Sequence, residues 1–242
     1  MTDLTISPVR GLPELRAGDD LASMIADRAE LESGDVLVVA QKAISKIEGR
    51  VVRLDDVVPS AEARELAGDG DPRRIEIVLR EASRVVRSRG SLVIAETEHG
   101  FICASAGVDA SNTPEPGTLV LLPVDPDESA ARLRARLLEL TGREVGVVVS
   151  DSFGRPWRQG TTDVAIGAAG LEVLHDLKGE RDPTGYELKS TVIAVADEVA
   201  GAAELVMGKL DRTPVAIVRG LDAAGEGVAR DLVMPAERNL FP

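Results

Sequence analysis

Val145-Gly146-Val147-Val148-Val149-Ser150-Asp151-Ser152-Phe153-Gly154-Arg155-Pro156-Trp157-Arg158 is an apolar, β-branched run that passes directly into an acid, a hydroxyl and two guanidinium groups. The part from Val145 to Ser150 is short and continuously apolar, which predicts a buried strand. Four more runs have this character: Val36 to Ala40, Ser91 to Ala95, Thr191 to Ala196 and Pro214 to Arg219. A strand without polar alternation has both faces covered. Strands of this kind, alternating with helical patterns, predict an α/β fold. Strand order is not readable from the pattern.

The helices between them carry local signals. Pro72 to Arg89 places Ile75, Val78, Leu79, Ala82, Val85 and Val86 on one face at helical spacing, which predicts one amphipathic helix over the whole segment. Asp125-Pro126-Asp127-Glu128 combines an N-cap, a proline at the first helical position and an acid at N3, and leads into Leu133, Leu137 and Leu138. Glu198 to Met207 is predicted as a third helix and Leu21 to Leu31 as a shorter fourth. Asp109 to Gly117 and Lys178 to Leu188 are rich in Pro, Gly, Asn and Asp and read as loops. No repeat or linker is evident, so residues 1–242 read as a single unit; two lobes fit the length, with no legible boundary.

With 242 residues, 44% of them hydrophobic, the chain can bury a substantial core unaided. A formal net charge of -13 argues against a nucleic-acid partner, since neutralising phosphates takes a surplus of Lys and Arg. Phosphates can still be bound locally by a few cations, or by metal ions shared with carboxylates. Cys103 is the single cysteine, which excludes an intrachain disulfide and fits a reducing, cytoplasmic setting. Met1 to Arg10 has no basic stretch leading into an apolar core, and no run approaches a membrane span, so neither export nor insertion is expected.

Three segments carry candidate chemistry. In Ser150 to Arg158, Asp151 can hold a metal at the carboxyl end of a strand, Ser152 offers a neighbouring oxygen, and Arg155 and Arg158 can clamp phosphate or carboxylate. The plainer reading is a strand-to-loop transition with solvated arginines. In His99 to Asn112 a small-residue run lets a ligand approach the backbone and ends in Asp109, a hard-oxygen ligand, and Asn112, a hydrogen-bonding amide; a plain Asx-turn is the alternative. In Gln41-Lys42-Ala43-Ile44-Ser45-Lys46 the two lysines share a helical face, which can meet phosphate or simply solvent. His99 and His175 lack zinc-site spacing, and the Walker and serine-hydrolase patterns are absent. Asp197, Glu198 and Glu204 need no role beyond an acidic helix.

Taken in order, Gly-Leu-Pro-Glu at 11–14, Gln-Lys-x-x-Ser-Lys at 41–46, His-Gly-Phe-Ile-Cys-Ala at 99–104, Gly-Val-Asp-x-Ser-Asn at 107–112, Ser-Asp-Ser-Phe-Gly-Arg-Pro-Trp-Arg at 150–158 and Ala-Asp-Glu at 196–198 closely resemble the coenzyme F420-0:L-glutamate ligase, or F420-0:gamma-glutamyl ligase, family. The resemblance spans nearly the whole chain. It implies an α/β subunit with a mixed sheet and flanking helices, forming an intertwined homodimer. It further implies GTP as energy source, two Mn²⁺ or Mg²⁺ ions, stimulation by K⁺, and L-glutamate and a deazaflavin precursor as the joined substrates.

By position, the resemblance assigns Asp109 and Asp151 to one metal and Ser152 to a second. It assigns Leu12, Pro13, Glu14, Leu15, Gln41, Lys46 and Asn112 to the guanine nucleotide, together with Met207, Gly208 and Lys209. The nitroreductase-like extension carried by some relatives is not expected, because the sequence closes at Phe241-Pro242. The implied chemistry is amide formation through an acyl phosphate, with GDP and phosphate released and further γ-linked additions open. Lys46 would aid neutralisation, and Arg155 and Arg158 would clamp anionic substrate groups. A metal-dependent phosphohydrolase or a non-catalytic GTP-binding module would use much the same residues.

Overall fold

The computed structural model describes residues 3–240; Met1, Thr2, Phe241 and Pro242 lie outside them. In chain order its elements begin with β1 (Thr5–Pro8), α1 (Leu21–Ala26), β2 (Val36–Ala40), α2 (Gln41–Ile47) and β3 (Val51–Arg53). There follow α3 (Ala61–Ala67), α4 (Pro72–Glu81), β4 (Ala82–Arg89), β5 (Leu92–Thr97), β6 (Ile102–Ala104) and β7 (Thr118–Val120). The second half holds α5 (Pro126–Thr141), β8 (Gly146–Arg155), β9 (Arg158–Ala169), β10 (His175–Asp176), β11 (Val192–Ile193), α6 (Val195–Met207) and β12 (Val215–Arg219).

The fold is α/β around a mixed five-stranded sheet in the order β1-β12-β2-β8-β9. Only β2 and β8 are parallel, in register from Val36↔Gly146 to Ala40↔Ser150; the other neighbours are antiparallel. The apolar runs divide their side chains as strand geometry requires. Leu37, Val39, Val147, Val149, Val215 and Ile217 enter a core with α1 and α5. Val36, Val38, Val148, Ala216 and Val218 enter a second core beneath α6. A third core joins α3 and α4 to the three-stranded sheet β4-β5-β6.

Helix α5 begins as its sequence predicts: Asp125 Oδ1 accepts from Glu128 N at 3.0 Å, with Pro126 in the first turn. Its start lies directly on the sheet, because a Cβ at Gly167 would stand 2.2 Å from the carbonyl oxygen of Pro126. Several boundaries depart from the sequence reading. The helix predicted over Pro72 to Arg89 ends at Glu81, and Ala82–Arg89 pairs with β5 around Gly90, whose φ is +57°. Val85 and Val86 are β-branched between arginines, so the sheet partner outweighs a helical continuation. The strand predicted from Thr191 to Ala196 is confined to Val192–Ile193, because α6 already begins at Val195. Helix α1 stops at Ala26 rather than Leu31. Finally, residues 151–155 do not leave the sheet as a loop: β8 continues to Arg155 and turns into β9 through Pro156 and Trp157.

Candidate active site

The parallel pairing of β2 and β8 stops at Ala40 and Ser150, and the residues that directly follow lie at one end of that pair. After Ala40 the chain enters α2, which carries Gln41, Lys42 and Lys46; after Ser150 it carries Asp151 and Ser152. The antiparallel β12 starts at this same end, where Ala40 N donates to Pro214 O at 2.8 Å. Ligands collect at such carboxyl ends of parallel strands. Here a cavity of about 630 Å³ opens, lined from the Leu12–Leu15 loop, α2, the strand end at Ser150 to Ser152, Asn112 and the 207–214 segment after α6.

The loop carrying Asp109 is tied to this end by its backbone. Asp109 N and Val120 O, and Val120 N and Asp109 O, pair at 2.9 and 2.8 Å, while Leu121 N donates to Arg50 O just beyond α2. Asp109 is then shared between two roles. Its Oδ1 accepts from Ser111 N at 2.7 Å, making the Asx-turn, and its Oδ2 lies 2.5 Å from Lys42 Nζ and 3.8 Å from Lys209 Nζ. Burial works against its ionisation, yet the Lys42 ammonium and the Ser111 hydrogen bond prevail and hold the carboxyl down at about 2.

Asp151 behaves oppositely: burial pushes it up to about 6, opposed by Lys42 and reinforced by the nearby Asp109 and Asp163 carboxylates. Asp163, itself buried, was not singled out in the sequence. It accepts from Ser150 Oγ at 2.9 Å and from Ser152 Oγ at 2.7 Å across the β8–β9 pair. Its only local sign is an acid in Thr161-Thr162-Asp163 at the polar start of an apolar strand, and only the register Ser152↔Asp163 brings it to the site.

The remaining predicted residues distribute as follows. Leu12, Pro13, Glu14, Leu15, Gln41, Lys46, Asn112, Met207, Gly208 and Lys209 all line the cavity, as do Lys42, Glu204 and Arg212. Lys46 is ion-paired with Glu14. Gln41 Nε2 donates to Ser45 Oγ and Leu121 O, both at 2.7 Å, while its buried Oε1 has no hydrogen-bond partner among the described residues. Asn112 takes φ +53° and its Nδ2 donates to Lys209 O at 3.2 Å, which joins its loop to the segment after α6. Arg155 and Arg158 are not among the lining residues. They face each other across the hairpin turn; Arg155 Nη2 donates to Gln159 O at 3.2 Å and Arg158 is exposed.

One expectation is redirected. The small residues of 104–107 do not line the cavity: Gly107, with φ +72°, packs on Leu122, where a Cβ would stand 2.6 Å from Cγ. Asp197, in the first turn of α6, accepts from Ala165 N at 2.9 Å. His99 is held at Pro123 O and Val124 O, at 3.0 and 3.1 Å. The buried Cys103 thiol is pushed up to about 12, mainly by desolvation, and so stays protonated and inert.

The oxygen donors Asp109, Asp151 and Ser152 suit a hard divalent ion. Among the described residues no group of three or more His, Cys, Asp or Glu forms a metal cage. An ion held by these oxygens would draw its remaining ligands from substrate phosphates and water, as Mg²⁺ and Mn²⁺ commonly do.

The chain is similar to known proteins along most of its length. The family model described as F420-0:Gamma-glutamyl ligase matches residues 11–220. The protein named Coenzyme F420:L-glutamate ligase from Methanopyrus kandleri is 48% identical over 98% of this chain and 97% of its own length. Proteins of the same name from Methanocaldococcus jannaschii and Methanothermobacter thermautotrophicus are 44% and 41% identical, over 95% and 98% of this chain and 94% and 98% of their own lengths. With one family matched along most of its length and relatives this similar end to end, the chain belongs to the F420-0:gamma-glutamyl ligase family.

Proposed function

We propose that this chain joins L-glutamate to the deazaflavin precursor F420-0 at the expense of GTP, releasing GDP and phosphate. Family membership supports the ligase reading. The observation that carries the nucleotide part is one cavity lined by Lys42, Lys46 and Lys209 together with Asp151 and Ser152, with Asp109 ion-paired to Lys42 and near Lys209. Cations there can neutralise a triphosphate, and the oxygens can share ions with it.

A free carboxylate does not form an amide in water without activation. In the proposed sequence a carboxylate oxygen of the precursor attacks the γ-phosphorus, the bond to the bridging oxygen breaks, and GDP leaves with the electron pair. The glutamate amine then attacks the acyl carbon; the C–O bond to phosphate breaks and one proton leaves the nitrogen. Lys42 and Lys46 would neutralise the phosphates, and Gln41 Oε1 would accept a hydrogen bond from the nucleotide. Asp109 and Asp151 would hold one Mn²⁺ or Mg²⁺ ion and Ser152 would contribute to a second, ions that offset charge on the phosphate oxygens when bound. Stimulation by K⁺ and addition of further γ-linked glutamates belong to the same reading. Arg155 and Arg158 are the proposed clamps for anionic substrate groups beyond the cavity wall. An intertwined homodimer is also part of the reading; it would cover Val85, Leu92 and Ile102, exposed on the three-stranded sheet.

Mass spectrometry of the deazaflavin after incubation with protein, GTP, L-glutamate and Mn²⁺, each omitted in turn, tests the proposal. A glutamyl-extended product confined to the complete mixture is expected. GTP cleavage without extension would overturn it in favour of a phosphohydrolase, and nucleotide binding without phosphate release in favour of a binding module.

A further inference from the structure

We propose that Asp163 is a positioning residue that sets the hydroxyl of Ser152 as an oxygen donor for a divalent ion; this rests on the metal reading above. A serine hydroxyl has one proton and two lone pairs, and its rotor settles wherever the proton finds its best acceptor. Asp163 Oδ1 takes the Ser152 proton at 2.7 Å and Oδ2 takes that of Ser150 at 2.9 Å. Both carboxylate oxygens are therefore committed, and both hydroxyls are turned with their protons toward β9. The lone pairs of Ser152 Oγ remain for the cavity that Ser152 and Asp163 both line.

The hairpin supplies this arrangement. Ser150 and Ser152 are two residues apart on β8, hence on one side of the strand. Asp163 lies directly opposite Ser152 and diagonally from Ser150, which pairs with Ala165. A register shift between Val149 and Ser150 separates this polar stretch from the apolar ladder below it. Bulges next to sites re-aim side chains in this way. Asp163 has no Lys or Arg ion-pair partner among the described residues. A buried carboxylate held only by two hydroxyls is costly for stability alone, and partners that orient a ligand recur around metal sites, where their loss weakens binding roughly ten- to hundredfold.

The test is Mn²⁺ titration followed by electron paramagnetic resonance, without substrates, on wild type, Asp163→Asn, Ser152→Ala and the double variant, with thermal unfolding recorded alongside. Asparagine keeps the shape of Asp163 but offers one acceptor oxygen where two hydroxyl protons now have one each, so its amide N–H reverses one of the two hydrogen bonds and the carboxylate charge that holds both protons is lost. Asp163→Asn is expected to weaken Mn²⁺ binding by roughly tenfold or more, and adding Ser152→Ala to it should cause little further loss. Unchanged affinity in Asp163→Asn, or full additivity of the two losses, overturns the proposal even where the midpoint of unfolding falls, and leaves the metal reading intact. Absence of Mn²⁺ binding to wild type overturns the metal reading and this inference together. Should Asp163→Asn not fold, Ser150→Ala releases one of the two hydrogen bonds: a several-fold weaker affinity supports the proposal and an unchanged one overturns it.

Discussion

Strands β2 and β8 run parallel and in register, apolar on both faces, as far as Ala40 and Ser150. Beyond that level they diverge. β2 turns at once into a helix and presents Lys42 and Lys46, whereas β8 stays extended, bends back into β9 and presents Asp151, Ser152 and, across the hairpin, Asp163. Positive and negative groups thus come from adjacent strands with the same apolar interior, and opposite charge at one end of the sheet follows from what each chain does on leaving it. The acids respond differently to this. Asp109, beside Lys42, is held down at about 2, while Asp151, more deeply enclosed, is pushed up to about 6.

The largest expected effect is on the β8 side. Asp151→Asn should lower glutamyl-transfer turnover by more than about a hundredfold, since it removes a charged oxygen donor from the phosphate site. Full turnover and unaltered Mn²⁺ affinity in the folded variant would leave Asp151 without its proposed role. On the β2 side, Lys42→Met should weaken GTP binding by about tenfold, the order of one charge-assisted contact; titration with a fluorescent GTP analogue checks this. Equal affinities in wild type and variant would mean that Lys42 serves Asp109 alone.

The pH dependence of stability separates the two acids. Asp151 has a folded value above its ordinary one, so the folded state keeps a proton that the unfolded chain releases. Its ionisation therefore costs stability as pH rises from about 4 to about 6. Asp109 has the reverse sign: its contribution is present above about 4 and is lost as pH falls toward about 2. Asp151→Asn is accordingly expected to unfold at a higher temperature than wild type at pH 7, by about 2–4 °C for each kcal/mol recovered, with the difference shrinking below pH about 4. Thermal unfolding across this range tests it, and a variant less stable at pH 7 would contradict the burial cost assigned to Asp151. The smallest effect lies outside the site: Asp125→Ala should remove the α5 N-cap for about 1 kcal/mol and leave GTP affinity unchanged in the same titration.

Much of this was legible beforehand because its causes are local. Val36 to Ala40 is the predicted strand residue for residue, and the Asp125-Pro126 start of α5 is the predicted cap, since cap chemistry and apolar runs act over a few neighbouring residues. The segment Pro72 to Arg89 failed for the complementary reason. Its apolar spacing suits a helix throughout, but Val85 and Val86 find a strand partner in β5, which no local window contains. Ordered motifs pointed to Asp109, Gln41 and Asn112, yet one of them could not say that Lys42 would lie against Asp109, 67 residues away by number.

The sequence by itself determined the class of fold, the family resemblance and most of the side chains that now line the cavity. Tertiary structure alone decided that β2 and β8 are the parallel pair, that residues 151–155 continue a strand, and that Asp163 faces both serines. The physical reason is that strand pairing and register are chosen by the simultaneous burial of both sheet faces and by the hairpin turn, and these are contacts between distant parts of the chain rather than properties of any one stretch.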